Sequence, residues 1–341
     1  MQSLNLFLIG CTCFVLGISL SLISPFYPTE ALAKGVSVSQ TGLVMGTVFI
    51  TVVLSTPVFG KYIQILGARK FLIIGSFVGG SGNFIFAFLA DVQNTNAFFS
   101  LSIVLRFVIA LGDSAIGPAA FTLAGRQVTD KHKGKATALV EGTFAVGTMF
   151  GPAIGGCLYD LGGFSLPFFV TGIAMMLFSF MSLLLFTEEL HDGIQNGSQN
   201  VSWMDILKVA GVKIGIFAIF FAGMSKKWYT ASLGPFLKNS YGLSSSQIGL
   251  VFMPFGLAYT LFAPFVGFIT DEGFNSLIII IVGKLLISLS NMFLGPIPPI
   301  SSVMGHYLWV TVAAITLQGI GSSFAYIGTN TFMTKSSILC I

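Results

Sequence analysis

The chain has 341 residues, of which 54% are hydrophobic and only 8% charged, whereas soluble domains carry about 25% charged residues. Its formal charge of +4 is spread among short segments without a basic tract, which excludes a nucleic-acid-binding surface. The composition excludes a soluble globular domain and reads as an all-α, polytopic protein of the lipid bilayer.

Ten apolar runs are long enough to cross a hydrocarbon core of about 30 Å, which takes roughly 20 helical residues. The first, about Asn5 to Tyr27, lacks a basic leader and is too long for a signal-peptide core, so it reads as a membrane helix ended by Pro25 and Pro28. Further spans fall near Thr41 to Tyr62, Lys70 to Ala90, Ala97 to Ala124, Lys135 to Tyr159, Leu166 to Thr187, Gly211 to Leu237, Gln247 to Ile269, Ser276 to Pro296 and Tyr307 to Met333. The loops after the second and fourth spans carry Lys61, Arg69, Lys70, Arg126, Lys131, Lys133 and Lys135, whereas the first, third and fifth loops offer only Lys34. Basic loops stay in the cytosol, so the amino terminus is expected there too.

The longest polar stretch, Glu188 to Ala210, divides the spans six and four. The expected organisation is a six-helix bundle over 1–187, a cytosolic loop over 188–210 and an incomplete bundle of about four helices over 211–341. Asn196 and Asn200 begin glycosylation sequons, but a cytosolic loop does not meet the glycosylating enzyme. Cys11, Cys13, Cys157 and Cys340 show neither metal spacing nor a disulfide framework and read as packing residues. No cofactor or metal is expected.

An internal repeat supports the division. At an offset of 207 residues, GVSVSQTGLV from Gly35 falls on GLSSSQIGLV from Gly242, and ten of thirty positions are identical. SPF at Ser24 meets GPF at Gly234, and ALGDS from Ala110 meets GIGSS from Gly319, with small changes of offset. Both copies begin after an odd-numbered span, so the repeats are parallel and related by an axis along the membrane normal, with a solute path expected between them.

The run from Lys135 to Tyr159 organises the rest. Gly147, Gly151 and Gly155 recur every fourth residue, a stripe without side chains along which another helix can approach. Pro152 follows directly and Gly156 extends the pattern to GxxxGPxxGG, with a bend expected at the proline. Close packing alone accounts for a lone GxxxG. The fuller pattern resembles the fifth-helix signature of antiporters in the major facilitator superfamily.

A second signature resembles that superfamily's loop after the second helix of each half. In the first half it comprises Gly60, Gln64, Gly67, Arg69 and Lys70; in the second, Gly267 and Asp271 keep the spacing, followed by Glu272. The resemblance implies a cytosolic latch between a carboxylate, arginines and a helix end. Gln64 is neutral where a carboxylate is usual, so the first-half latch is expected to be weaker or to rest on Arg69 with backbone carbonyls.

Charges inside spans are costly, at least ~2.5 kcal/mol on the mild insertion scale. Arg106 and Asp113 lie seven residues apart in the fourth span and so project from one face about 10 Å apart. A structural ion pair fits this placement, and so does the proton coupling implied by the superfamily's fourth-helix arginine. The counterpart of Arg106 in the second repeat is Ile315, so the shared fold does not require the charge. Glu141, at the start of the organising span, is a candidate for binding a proton or a cationic solute. Lys226 and Lys227 in the seventh span and Lys284 in the ninth are expected to pair with acids or extend to the membrane surface. Trp228 and Tyr229 are candidates for lining the path. The Gly-rich stretch from Gly75 lacks a phosphate-binding context, and no nucleophile, base and orienting group assemble, so the chain is not read as an enzyme.

Within the superfamily the chain resembles the vesicular amine transporter branch, and its polyamine-carrying members in particular. The likeness rests on SPFYP at Ser24, FGKYIQILGARK at Phe59, GPAIGGCLYDLGGFSLPF at Gly151, LSSSQIGLVF at Leu243 and FAPFVGFITDE at Phe262. It implies exchange of lumenal protons for cytosolic amines at acidic vesicles. The first span carries no carboxylate, unlike that of monoamine members, which leaves polyamines or another solute. Two helices of the superfamily's twelve are not accounted for, so the competing expectation is a chain that inserts without transporting alone and acts by pairing with a full-length transporter. A membrane receptor is disfavoured by ten spans and by the repeat.

Overall fold

The computed structural model describes residues 2–128, 133–186, 209–294 and 307–338. They form an all-helical fold: α1 (Gln2–Ser21), α2 (Tyr27–Ala33), α3 (Val38–Leu66), α4 (Ala68–Phe86), α5 (Thr95–Arg126), α6 (Lys133–Gly162), α7 (Ser165–Leu185), α8 (Ala210–Tyr241), α9 (Ser245–Asp271), α10 (Ser276–Leu294) and α11 (Leu308–Ile338), with a 3-10 turn at Ala87–Asp91 after α4. All but α2 are long, and each falls on one of the ten expected spans. Eight of them are long and apolar enough to cross a membrane by length and composition. The other two, α6 and α8, match the rest in length at 30 and 32 residues but are diluted by glycine, threonine and lysine. The first span is shorter than its apolar run: α1 ends at Ser21, and Pro28 lies in the first turn of α2, where a missing N–H costs nothing. Pro152 sits inside a continuous α6. Side chains such as Leu54, 70% exposed, and Leu261, 73% exposed, form the apolar surface that lipid covers.

The chain divides into two compact units. The first comprises Met1–Glu188 with Ala231–Met253, and the second Glu189–Thr230 with Pro254–Ile341. In the first, α4 and α5 meet through glycine: a Cβ on Gly75 would lie 2.8 Å from the Gly112 carbonyl, and one on Gly112 would strike the Gly79 amide. The next glycine of that stretch, Gly80, faces α7, where a Cβ would come 2.9 Å from the Gly172 carbonyl. The Gly-rich segment from Gly75 is therefore a packing surface for two helices at once. In the second unit the same pairing recurs between α10 and α11, where a Cβ on Gly283 would lie 2.8 Å from the Gly321 carbonyl.

The repeat is visible in atomic detail. Gly35 and Gly242, 207 residues apart, both take positive φ, 84° and 65°, a region that a side chain disfavours. Two residues later Ser37 and Ser244 each cap a helix, α3 or α9, in a reciprocal box. The Gln40 amide donates to Ser37 Oγ at 3.2 Å and the Ser37 amide to Gln40 Oε1 at 3.0 Å. The Gln247 amide and Ser244 repeat these bonds at 3.3 and 3.0 Å.

Lys34, the one basic residue of the first, third and fifth loops, is held by local acceptors. Its ammonium donates to the carbonyls of Leu89, Ala90 and Val92 at 3.0, 2.6 and 3.0 Å, satisfying groups that the end of a helix leaves open.

Candidate functional site

The charged residues of α5 are enclosed in the first unit. Arg106 is 2% exposed and Asp113 4%. The guanidinium carbon of Arg106 stands 5.0 Å from the ring centre of Phe86 and 5.9 Å from that of Phe168. These rings belong to a larger aromatic cluster: Phe86 and Phe168 are 4.6 Å apart, Phe164 lies 5.1 Å from Phe168, and Tyr27 lies 6.0 Å from Phe86. A desolvated cation over a ring gains about 2 kcal/mol. Removing an ion from water costs several kcal/mol even after relaxation, so the rings alone do not balance the burial.

Nor do hydrogen bonds. Nε and Nη2 of Arg106 and both carboxylate oxygens of Asp113 are buried without a hydrogen-bond partner among the described residues. Buried polar atoms are nearly always bonded, and each exception calls for an explanation, a catalytic role among them. No direct hydrogen bond joins Arg106 to Asp113. The two side chains share α5 and its buried face.

The space for Asp113 comes from α4. A Cβ on Gly79 would lie 2.9 Å from Asp113 Oδ1, so only glycine leaves room for the carboxylate there. One turn on, Asn83 is fully buried and donates to Ser19 Oγ at 2.9 Å and to the Gly79 carbonyl at 3.1 Å, tying this part of α4 to α1. In the second unit the positions equivalent to Arg106, Asp113 and Gly79 are Ile315, Ser322 and Ile287, all buried. The Gly112–Gly79 contact corresponds there to Gly321 against Ile287, whose amide would lie 2.9 Å from an added Cβ. The same helix pair thus holds a charge pair in one unit and uncharged residues at the equivalent positions of the other. Sequence reading missed Gly79 because a glycine in a glycine-rich helix gives no sign of which neighbour it faces; aligning α10 on α4 would have shown Ile287 in its place.

Glu141 lies on α6 but is exposed, apart from the buried pair. Further along α6 the glycines point in two directions. Added Cβ atoms on Gly147, Gly151 and Gly155 would strike Phe14 O, Ser21 Oγ and Leu22 O, all of α1 or the turn that follows it. The helix that approaches the stripe is therefore α1, within the first repeat. The contact with the second repeat uses the neighbouring face, where Gly156 meets Ser245 O and Pro152 O meets Gly249, both on α9. A helix with 3.6 residues per turn turns residue 156 by about 100° from residue 155, which gives the one motif two partners.

In the loop between α3 and α4, Gly67 takes φ 92° to end one helix and begin the next. Arg69 donates to the Leu183 carbonyl in the last turn of α7 at 2.8 Å, occupying a carbonyl that the helix end leaves open. Gln64 and Lys70 are exposed, and Gly60 and Gly267 each have open space where a Cβ would stand. The side chain of Asp271 lies outside the described residues, as do those of Lys226, Lys227, Trp228 and Tyr229 and the segment carrying Asn196 and Asn200. Lys284 donates to the Ala218 carbonyl of α8 rather than to an acid. Cys13 is buried in the core, but Cys157 is exposed on α6 and is not a packing residue.

The chain matches the family model of the Major Facilitator Superfamily over residues 9–337. It is 28% identical over 316 residues to the MFS-type transporter SLC18B1 of Rattus norvegicus, covering 91% of this chain and 66% of that protein. It is 28% identical over 238 residues to the multidrug resistance protein MdtG of Serratia proteamaculans (strain 568), covering 68% of this chain and 56% of that one. The fold is similar to the crystal structure of a bacterial homologue of the human lysosomal transporter Spinster in an inward-facing, unoccupied conformation, with a TM-score of 0.73 at 13% identity, covering 99% of this chain and 79% of that one. The chain spans about two thirds of the length of the SLC18B1 relatives it matches. The family match over nearly the whole chain, the all-helical fold with its repeated helix pairs and the apolar surface lead to one conclusion: this multi-pass membrane protein belongs to the major facilitator superfamily.

Proposed function

We propose that the chain works as a proton-coupled antiporter that moves small organic cations, polyamines or related amines, by alternating access. The observation that carries this reading is the buried pair on α5. Arg106 and Asp113 sit in the membrane with open hydrogen-bonding capacity, and the equivalent positions of the second unit, Ile315 and Ser322, carry no charge. An asymmetric buried charge pair is costly for stability and suits a group that takes up and passes on a proton. Arg106 holds its charge throughout, Asp113 is the exchanging carboxyl, and exposed Glu141 offers a second acid for the proton or the cation. On the positive-inside reading the amino terminus is cytosolic, and the resemblance to vesicular amine transporters implies the membrane of an acidic vesicle.

The likeness to SLC18B1 supports an amine substrate, and the likeness to MdtG supports a second reading, a carrier of other solutes. Uptake into proteoliposomes holding this chain, driven by an acid interior and offered polyamines, monoamines and neutral drugs in parallel, tests both. Saturable polyamine uptake abolished by a protonophore is expected. Uptake of neutral drugs alone favours the second reading, and no gradient-dependent uptake of any solute overturns both.

A further inference from the structure

Within the first unit, the end of α6 is bonded to the start of α9. Asp160 Oδ1 accepts from the Ser245 amide at 3.2 Å and Oδ2 accepts from the Ser246 amide at 2.8 Å, and the Ser246 hydroxyl also donates to Oδ2. Ser245 and Ser246 are the first two residues of α9, whose amides have no partner inside the helix. The cap of α9 is therefore shared: Ser244 takes the third amide, that of Gln247, and Asp160 takes the first two from another helix. At the equivalent start of α3 the Ser37 box is present, yet no carboxylate bonds to Val38 or Ser39 among the described residues. The helix start thus does not need the Asp160 bonds in order to form.

The backbones beneath this contact are as close as backbones can be. Gly156, one turn before Asp160, meets the Ser245 carbonyl, and Gly249, one turn into α9, meets the Pro152 carbonyl. A helix of the first sequence repeat is thereby seated on a helix of the second, with the carboxylate at the rim. The same end of α6 is fixed to its own repeat, since the Tyr159 hydroxyl donates to Glu30 of α2 at 2.7 Å and the Tyr159 ring stacks 4.9 Å from Phe26. A rigid post at Tyr159 beside a carboxylate that reaches the other repeat is the layout of a catch.

We propose that Asp160 is a positioning residue of the transport cycle, holding α6 against the start of α9 in one state and releasing it in the other. The proposal rests on the alternating-access reading, but its test needs no substrate, so its failure and the failure of that reading are distinguishable. A negative group at a helix start is favoured by the free amides and by the helix dipole. Losing the charge, with exposure and screening allowed for, should raise the open-to-closed ratio roughly two- to fivefold.

The test is a spin-label distance measurement on the full chain in nanodiscs. Labels are placed at Leu161→Cys, an 80% exposed position beside the contact, and at Asn239→Cys, exposed near the end of α8, after Cys11, Cys13, Cys157 and Cys340 are replaced by serine. Asp160→Asn should shift the distribution toward the longer distance by that factor. Asp160→Glu should restore most of the short-distance population, and Ser246→Ala, which removes only the hydroxyl donor, should give a smaller shift. A contact that merely stabilised the fold would lower the melting temperature without moving the ratio. An unchanged ratio in Asp160→Asn overturns the proposal, and so does an Asp160→Glu chain as open as Asp160→Asn. If Asp160→Asn does not fold, Ser246→Ala decides by the same ratio.

Discussion

Replacing Gly79 by alanine tests whether the pocket for Asp113 matters to coupling rather than to packing. The new Cβ would stand 2.9 Å from Asp113 Oδ1 and 3.0 Å from Met175 Cε. Both distances are about 0.5 Å shorter than a comfortable contact. Met175 offers a flexible terminal methyl that can swing away, but the carboxylate is buried and carried on a helix whose own Gly112 already touches the backbone of α4. The oxygen must therefore yield. Overpacking of this size costs about 1–3 kcal/mol, and the better helix propensity of alanine returns up to ~1 kcal/mol. The net loss of about 0–2 kcal/mol leaves the chain folded. If Asp113 exchanges the proton as proposed, a shift of about half an ångström is expected to lower proton-driven uptake tenfold or more, by the general sensitivity of positioned groups, while solute exchange without a proton gradient continues. Gly80→Ala is the control: it places a Cβ 2.9 Å from the Gly172 carbonyl on the opposite neighbour, far from any carboxylate contact, and should cost stability without selective loss of coupling. Proteoliposome uptake and exchange, measured side by side with melting temperature, give the answer. Wild-type proton-driven uptake in Gly79→Ala, or equal loss of uptake and exchange, would refute the reasoning.

Three further outcomes are expected. Arg106→Lys should impair proton-driven uptake because an ammonium does not reproduce the planar guanidinium over Phe86, and Glu141→Gln should impair it with expression intact; unchanged uptake in both reduces these charges to structural roles. Gly151→Leu should insert in the membrane but separate α6 from α1 at Ser21, stopping uptake, and normal uptake by this variant would count against the close contact. At Asp160 burial opposes the charge, but the hydrogen bonds from Ser246, Ser244 and Ser245 outweigh it and hold the carboxyl below its ordinary value of 3.8. A depressed carboxyl contributes its stability above the ordinary value and loses it as pH falls through the lowered one. The spin-label ratio of the unmutated catch should therefore stay flat from neutral pH to the vesicular range and rise only in stronger acid, and a midpoint in the vesicular range would contradict this.

The amino-acid sequence by itself determined the spans, the repeat and the family. Hydropathy is a one-dimensional signal, because every residue of a membrane helix meets either lipid or another helix, and ten long helices accordingly fall on ten apolar runs. The repeat was equally legible, since positive-φ glycines and cap serines 207 residues apart are set by local backbone chemistry. The in-span charges Arg106 and Asp113 stood out for the same reason, as rare residues in an apolar background. What the sequence could not give was direction around a helix axis. The stripe of Gly147, Gly151 and Gly155 faces α1, and Gly156 faces α9, yet adjacent glycines look alike until their neighbours are placed. Gly79 gained meaning only beside Asp113, and Asp160 only beside the start of α9, because both effects join residues distant in the chain. Burial without partners was likewise a tertiary fact: sequence placed Arg106 and Asp113 on one face, and only the packing of Phe86, Phe168 and Gly79 around them left their polar atoms open, which is the physical basis for reading the pair as a site that works.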